Sequence, residues 1–131
     1  MLSGSCLCGQ VAYEADARID VLIHCHCETC RKAHGAAFSS LSAVPRERFR
    51  WTKGEAMVKA FESSPGKRRW FCSECGSHIV AERRESGHIM LRLGCLDTPI
   101  TVERQFHIWR SDAASWFDPG VVWPVFEAGM R

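Results

Sequence analysis

The chain has 131 residues, 46% hydrophobic and 24% charged, and a formal net charge of +2 at pH 7. That length suits one domain, read here as residues 1–131, and the balance is that of a soluble globular protein rather than a disordered or fibrous one. A charge this small makes no case for nucleic acid, no apolar run nears the roughly 18 residues that cross a bilayer, and the start Met1-Leu2-Ser3-Gly4 lacks a basic, apolar leader; the expected location is cytoplasmic.

Residues 2–16 read as a hairpin around Cys6-Leu7-Cys8-Gly9, with residues 10–15 alternating as a half-buried strand does. Residues 19–25 form a second strand that delivers Cys25-His26-Cys27-Glu28-Thr29-Cys30. Arg31 to His34 suits a single helical turn closed by Gly35, and residues 36–44 a strand ended by Pro45. Residues 49–52 are another short strand. Residues 57–62 and 67–71 flank the Pro65-Gly66 turn, and the second run leads into Cys72-Ser73-Glu74-Cys75-Gly76. Residues 77–84 and 88–93 pair across 85–87, a strand covers 101–108, and a short helix begins near Ser111. Many short strands with frequent turns predict an all-β fold.

Eight cysteines without a secretion signal point to thiolate ligands rather than disulfides. The Cys-x-Cys pairs Cys6/Cys8 and Cys25/Cys27 would make strained rings if oxidised, yet suit a shared ion. In an extended chain Cys25 and Cys27 point one way and His24 and His26 the other, and a turn brings Cys30 beside the first two. Thiolates gathered so closely repel unless a cation lies between them, and zinc accepts such a set without redox chemistry. The natural division is four plus three: Cys6, Cys8, Cys72 and Cys75 close one tetrahedron, while Cys25, Cys27 and Cys30 leave a position open. Spacing alone also allows the central group to borrow a cysteine from a knuckle.

The motifs Gly4-Ser5-Cys6-Leu7-Cys8-Gly9-Gln10-Val11, His24-Cys25-His26-Cys27-x-x-Cys30-Arg31-Lys32, Gly54-Glu55, Ser64-Pro65-Gly66, Phe71-Cys72-x-x-Cys75-Gly76-Ser77, Gly94-Cys95-Leu96-Asp97 and Phe106-His107-Ile108-Trp109 occur in order. Over residues 3 to 126 this closely resembles the glutathione-dependent formaldehyde-activating enzyme family, which also includes centromere protein V. The resemblance implies a small zinc-bearing Mss4-like fold of short antiparallel strands with two zinc knuckles. It implies two zinc ions per chain: a structural one on Cys6, Cys8, Cys72 and Cys75, and a catalytic one on Cys25, Cys27 and Cys30. It also implies a carbon–sulfur lyase-type enzyme whose partners are a thiol such as glutathione and a small aldehyde, formaldehyde in the namesake reaction. The alternatives are a non-catalytic zinc scaffold and a glutathione carrier. Two departures stand out: Cys95 replaces a serine-like small residue, and His34 follows the central group at an unusual position.

Other residues carry competing readings. His34 lies one helical turn past Cys30, where it would close the central site or simply sit on the surface. His24 and His26 are expected to face away from the metal and to steady its surroundings by hydrogen bonds; they are also the nearest candidates for a general base. Cys95 reads as a small buried residue, and Trp109 and Trp116 as packing residues. His107 and Trp116 are also candidates for a pocket mouth. Arg31 and Lys32 are placed to offset the negative charge of three thiolates and attract a carboxylate. Arg46 to Trp51 and Lys67 to Trp70 interleave basic and aromatic residues, as nucleic-acid surfaces do, but more commonly as strands with one wet face.

Overall fold

A computed structural model describes residues 1–118 and 120–130, and its described residues form ten strands and one short α-helix. Strands β1 (Leu2–Ser5), β2 (Ala12–Ala15) and β5 (Phe49–Lys53) make a three-stranded antiparallel sheet in the order β1-β2-β5. The larger sheet contains β3 (Val21–Cys25), β4 (Ser39–Pro45), β6 (Val58–Ser64), β7 (Lys67–Cys72), β8 (His78–Arg83), β9 (His88–Arg92) and β10 (Arg104–Ile108), in the order β10-β3-β4-β9-β8-β7-β6. The all-β prediction holds. Among the described residues all the strand pairings are antiparallel except one: β10 runs parallel to β3, with His107 beside His24 and Ile108 beside Cys25.

Helix α1 (Glu28–His34) starts three residues earlier than the predicted turn, because Cys27 caps it: the Cys27 Sγ accepts the Cys30 N–H at 3.3 Å. The expected helix near Ser111 is instead a single 3₁₀ turn, Arg110–Asp112, entered through Trp109 in the left-handed region at φ 58°. Asp112 in that turn receives Arg31 Nε on its carbonyl, which ties the segment to α1.

Alternation along the strands builds the main core, where Val11, Tyr13, Val44, Ile79, Val80 and Leu91 are almost fully buried. Cys6 and Cys72 belong to this cluster. Cys25 and Cys30 lie with Leu41 in a smaller second one, which Ile23, Met90 and Ile108 cover in part. The two cysteine groups are therefore embedded differently: Cys6 and Cys72 anchor one in the main core while its Cys8 is exposed, and Cys25 and Cys30 bury the other in the smaller cluster. Among the described residues no helix is long and apolar enough to cross a membrane.

Candidate metal centres

The two knuckles, with Cys8 and Cys72 64 residues apart in the chain, reach one point in space. The sulfurs of Cys6, Cys8, Cys72 and Cys75 all lie within 4.8 Å of one another, with Cys6 to Cys8 at 3.5 Å and Cys8 to Cys72 at 3.8 Å. A tetrahedral zinc with sulfurs about 2.3 Å away sets them roughly 3.8 Å apart, so the donor set fits that ion. Each knuckle is turned by a glycine at φ 77°: the Gly9 N–H bonds the Cys6 carbonyl and the Gly76 N–H the Cys72 carbonyl. Ser77 ties the halves together, its Oγ accepting the Leu7 N–H at 3.0 Å and meeting Cys75 Sγ at 3.2 Å. That hydroxyl, the Ser77 backbone N–H and the Cys8 backbone N–H hold the Cys75 thiol down to about 5.

The second group forms where β3 ends and α1 begins. The sulfurs of Cys25, Cys27 and Cys30 lie within 4.8 Å of one another, and no histidine, carboxylate or further cysteine joins them among the described residues. Burial works against the Cys30 thiolate, but the adjacent Ser39 hydroxyl, the Cys27 thiol and the Arg69 guanidinium together bring it down to about 7. Arg69, itself only 3% exposed, directs Nη1 and Nη2 at Cys30 Sγ, both at 3.7 Å. Cys25 is pushed up to about 12, by burial first and then, over the opposing Cys27 backbone N–H, by negative charge on Cys30. An ion is therefore needed before all three thiols ionise together, and three convergent sulfurs fit zinc with one coordination position left over.

A chamber of about 340 Å³ opens over these three thiols, with Ile23, Leu41, Met90 and Ile108 as apolar wall and the 60% exposed Trp109 at the rim. A larger groove of about 690 Å³ runs between α1 and β6–β7 and shares Thr29, Ser63 and Arg69 with the chamber.

Several candidate residues lie elsewhere. His34 does not reach the thiols; its ring stacks 4.8 Å from His78, and burial, then Arg92, His78 and Arg69, push it down to about 3. The histidines His24 and His26 do not line the chamber. They form a cluster on the other face of β3: His24 Nδ1 meets Ser40 Oγ at 2.9 Å, and His26 Nε2 meets His107 Nδ1 at 2.7 Å, under Phe38 and Phe117. His107 is thus committed to that cluster, and Trp116 is 70% exposed beside Phe117. Cys95 donates to the His78 carbonyl at 3.3 Å, and burial, then the charges of Cys6, Cys75 and Asp97, push its thiol up to about 11, as suits an unreactive packing residue.

The expected charge partners also change. Arg31 directs its Nε at the carbonyls of His26 and Asp112, and Lys32 pairs with Glu28 across one helical turn, so neither lines the chamber. Its cations are Lys67, Arg69, Arg83 and Arg92, from β7, β8 and β9. The signal for the first two was the alternation in Lys67-Arg68-Arg69, which puts residues 67 and 69 on one face; for Arg92 the sequence held no such signal. In the other basic stretch Arg46 pairs with Glu82, Arg48 with Asp16 and Arg50 with Glu14, each cation answered by a carboxylate.

These features define a small all-β protein with one cluster of four thiols, two of them in the main core, and one of three thiols in a smaller second core cluster. Residues 1–112 match the family described as Glutathione-dependent formaldehyde-activating enzyme. An Aspergillus flavus protein bearing that family's name is 27% identical over 131 residues, covering 96% of this chain and 63% of its own length. A Podospora anserina protein of the same name is 32% identical over 85 residues, which are 63% of this chain and 39% of that protein. A crystal structure of a Rhodobacter sphaeroides protein shares the fold, with a TM-score of 0.61 at 20% identity over 79% of this chain and 99% of that one. The chain belongs to the glutathione-dependent formaldehyde-activating enzyme family.

Proposed function

We propose that this protein is a zinc-dependent carbon–sulfur lyase-type enzyme that makes or breaks the adduct of a thiol, such as glutathione, with a small aldehyde. In this reading residues 1–131 form one cytoplasmic domain, Cys6, Cys8, Cys72 and Cys75 hold a structural zinc, and Cys25, Cys27 and Cys30 hold the catalytic one. The observation that carries it is the set of three convergent thiols with no other side-chain donor among the described residues, set below a chamber. Zinc bound there supplies a position that keeps a substrate thiol as thiolate or polarises an aldehyde oxygen.

The chain's own residues do the rest. Arg69 donates to Cys30 Sγ and lowers the electron density of that ligand, which moderates the negative charge of a three-thiolate centre. The apolar wall of Ile23, Leu41, Met90 and Ile108 flanks the reacting atoms on one side, while Thr29, Ser63 and Ser64 offer hydroxyls for orientation. One feature favours a second reading, a carrier that binds the thiol without turnover: among the described residues no carboxylate or imidazole lines the chamber to move a proton.

Exchange-sensitive NMR of S-hydroxymethylglutathione, with and without the zinc-loaded protein, separates the two. Exchange with free glutathione and formaldehyde is expected to quicken when protein is added. Glutathione binding with unchanged exchange rates would instead establish the carrier.

A further inference from the structure

Formaldehyde carries no carbon beyond its carbonyl, so its side of an adduct has nothing to place in the larger groove next to the chamber. That groove encloses about 690 Å³, within the range of about 300–1,000 Å³ that small-molecule sites occupy. It meets the chamber at Thr29, Ser63 and Arg69, which border both.

Strand alternation and helix spacing build its walls. Phe61 of β6 stands opposite Arg69 of β7, and Phe71 follows Arg69 by two residues, so the three share one face of the sheet. Phe71 in turn pairs with His78 of β8, their rings 5.9 Å apart. From α1 come Thr29 and Ala33, one helical turn apart, and the short side chain of Ala33 leaves the space between helix and sheet open. Phe61 lies on the outermost strand of the larger sheet and is 64% exposed, a whole ring turned to water beside a cavity that could cover one face of it.

The charges around the groove are already answered. Glu28 and Lys32 pair with each other at 3.2 Å. Arg69 donates Nε to Ser63 Oγ at 3.0 Å and both terminal nitrogens to Cys30 Sγ. Among the described residues the groove therefore holds no uncompensated charge, and it suits an apolar ligand better than an ionic one.

We propose that this groove holds the apolar substituent of an aldehyde larger than formaldehyde, so that the adduct handled at the three-cysteine centre is a hemithioacetal with an alkyl or aryl arm. The inference rests on the enzyme reading above and names the aldehyde class it serves. Sulfur and carbonyl carbon lie in the chamber, and the arm passes Thr29 and Ser63 to rest against Ala33, Phe61 and Phe71. In the forward direction the thiolate sulfur bonds to the carbonyl carbon, and the C=O π pair moves onto oxygen. That oxygen takes up the proton the thiol gave away. The reverse step returns thiol and aldehyde, and neither direction consumes an oxidant or a reductant.

The test is exchange-sensitive NMR of the glutathione adducts of hexanal and of acetaldehyde, at equal low concentrations, with the zinc-loaded protein. Four methylenes separate the two aldehydes. Complete burial is worth roughly fourfold for each, but the groove is open on one side, so hexanal exchange is expected to quicken about tenfold more than acetaldehyde exchange. Phe61→Ser, at an exposed position that leaves the core intact, is expected to bring the ratio within about threefold. Ala33→Glu sets a charge in the opposite wall and is expected to narrow the ratio in the same direction.

Equal quickening of the two adducts overturns the proposal, leaves the enzyme reading standing and points to a protein partner for the groove. A hexanal preference retained in full by both variants overturns it as well. Quickening of neither adduct removes the enzyme reading. In that case the Ala33 and Phe61 resonances decide: a saturable shift with the hexanal adduct, absent with the acetaldehyde one, supports an apolar-arm site, and its absence overturns that too.

Discussion

Gly54 shows how one residue's chemistry becomes a constraint on a metal centre. Its φ is 68°, and a Cβ there would overlap the carbonyl oxygen of Gln10. Gln10 follows Cys8-Gly9 directly, so the close approach holds the first knuckle against the end of β5. Gly54→Ala is expected to cost more than about 1 kcal/mol from the left-handed backbone alone, with the displaced Gln10 carbonyl adding to it. A lowered urea midpoint, together with weaker retention of the four-thiol metal, is the result to look for; an unchanged midpoint would show that the contact yields freely. The Gly54-Glu55 motif was visible in the sequence, but the carbonyl that makes glycine necessary comes from 44 residues earlier in the chain and was not.

At the scale of elements, α1 carries opposite roles at its two ends. Its start presents Cys27 and Cys30 to the central group, and its end packs His34 against His78 of β8. Both imidazoles lie below their usual range, in each case through burial first and then nearby arginines. The folded chain thus binds fewer protons here than the unfolded one. Stability is complete above the ordinary histidine value of 6.5 and is lost as pH falls from there toward about 3. His34→Leu removes one of the two groups that must charge, so its urea midpoint is expected to fall less than the wild type's between pH 7 and 5. Zinc content measured in parallel separates this effect from protonation of the thiols, and identical slopes for the two proteins would refute it. The boundaries of α1 show the limit of a periodicity reading. A seven-residue helix has too few turns to announce itself, and its N-cap is a cysteine sulfur, where sequence rules look for serine, threonine, aspartate or asparagine.

For the whole molecule, the two thiol groups differ in what depends on them. Cys6 and Cys72 are part of the main core, whereas Cys25 and Cys30 lie with Leu41 in a small separate cluster. Structural zinc supplies about 10–16 kcal/mol of apparent binding energy, against about 5–15 kcal/mol of net stability for a protein of this size. Cys72→Ala is therefore expected to abolish the folded state, while Cys27→Ala lowers zinc by one equivalent and leaves native circular dichroism. A graded chelator titration should show the same order, the first equivalent leaving without a change in secondary structure and the second with unfolding. Loss of both equivalents in one step, or a folded Cys72→Ala, would contradict this division of labour.

By itself the sequence determined that seven thiols come in three tight local groups and that the chain alternates as short strands do, because both are properties of neighbours along the backbone. Only the tertiary structure decided what surrounds those thiols. It set β10 parallel to β3, joined His26 to His107 on the far face, and drew Lys67, Arg69 and Arg92 into the chamber from two strands of the larger sheet. Strand order sets which distant side chains share a face, and hydrogen-bonded ladders formed across the whole chain set strand order; no local spacing encodes either.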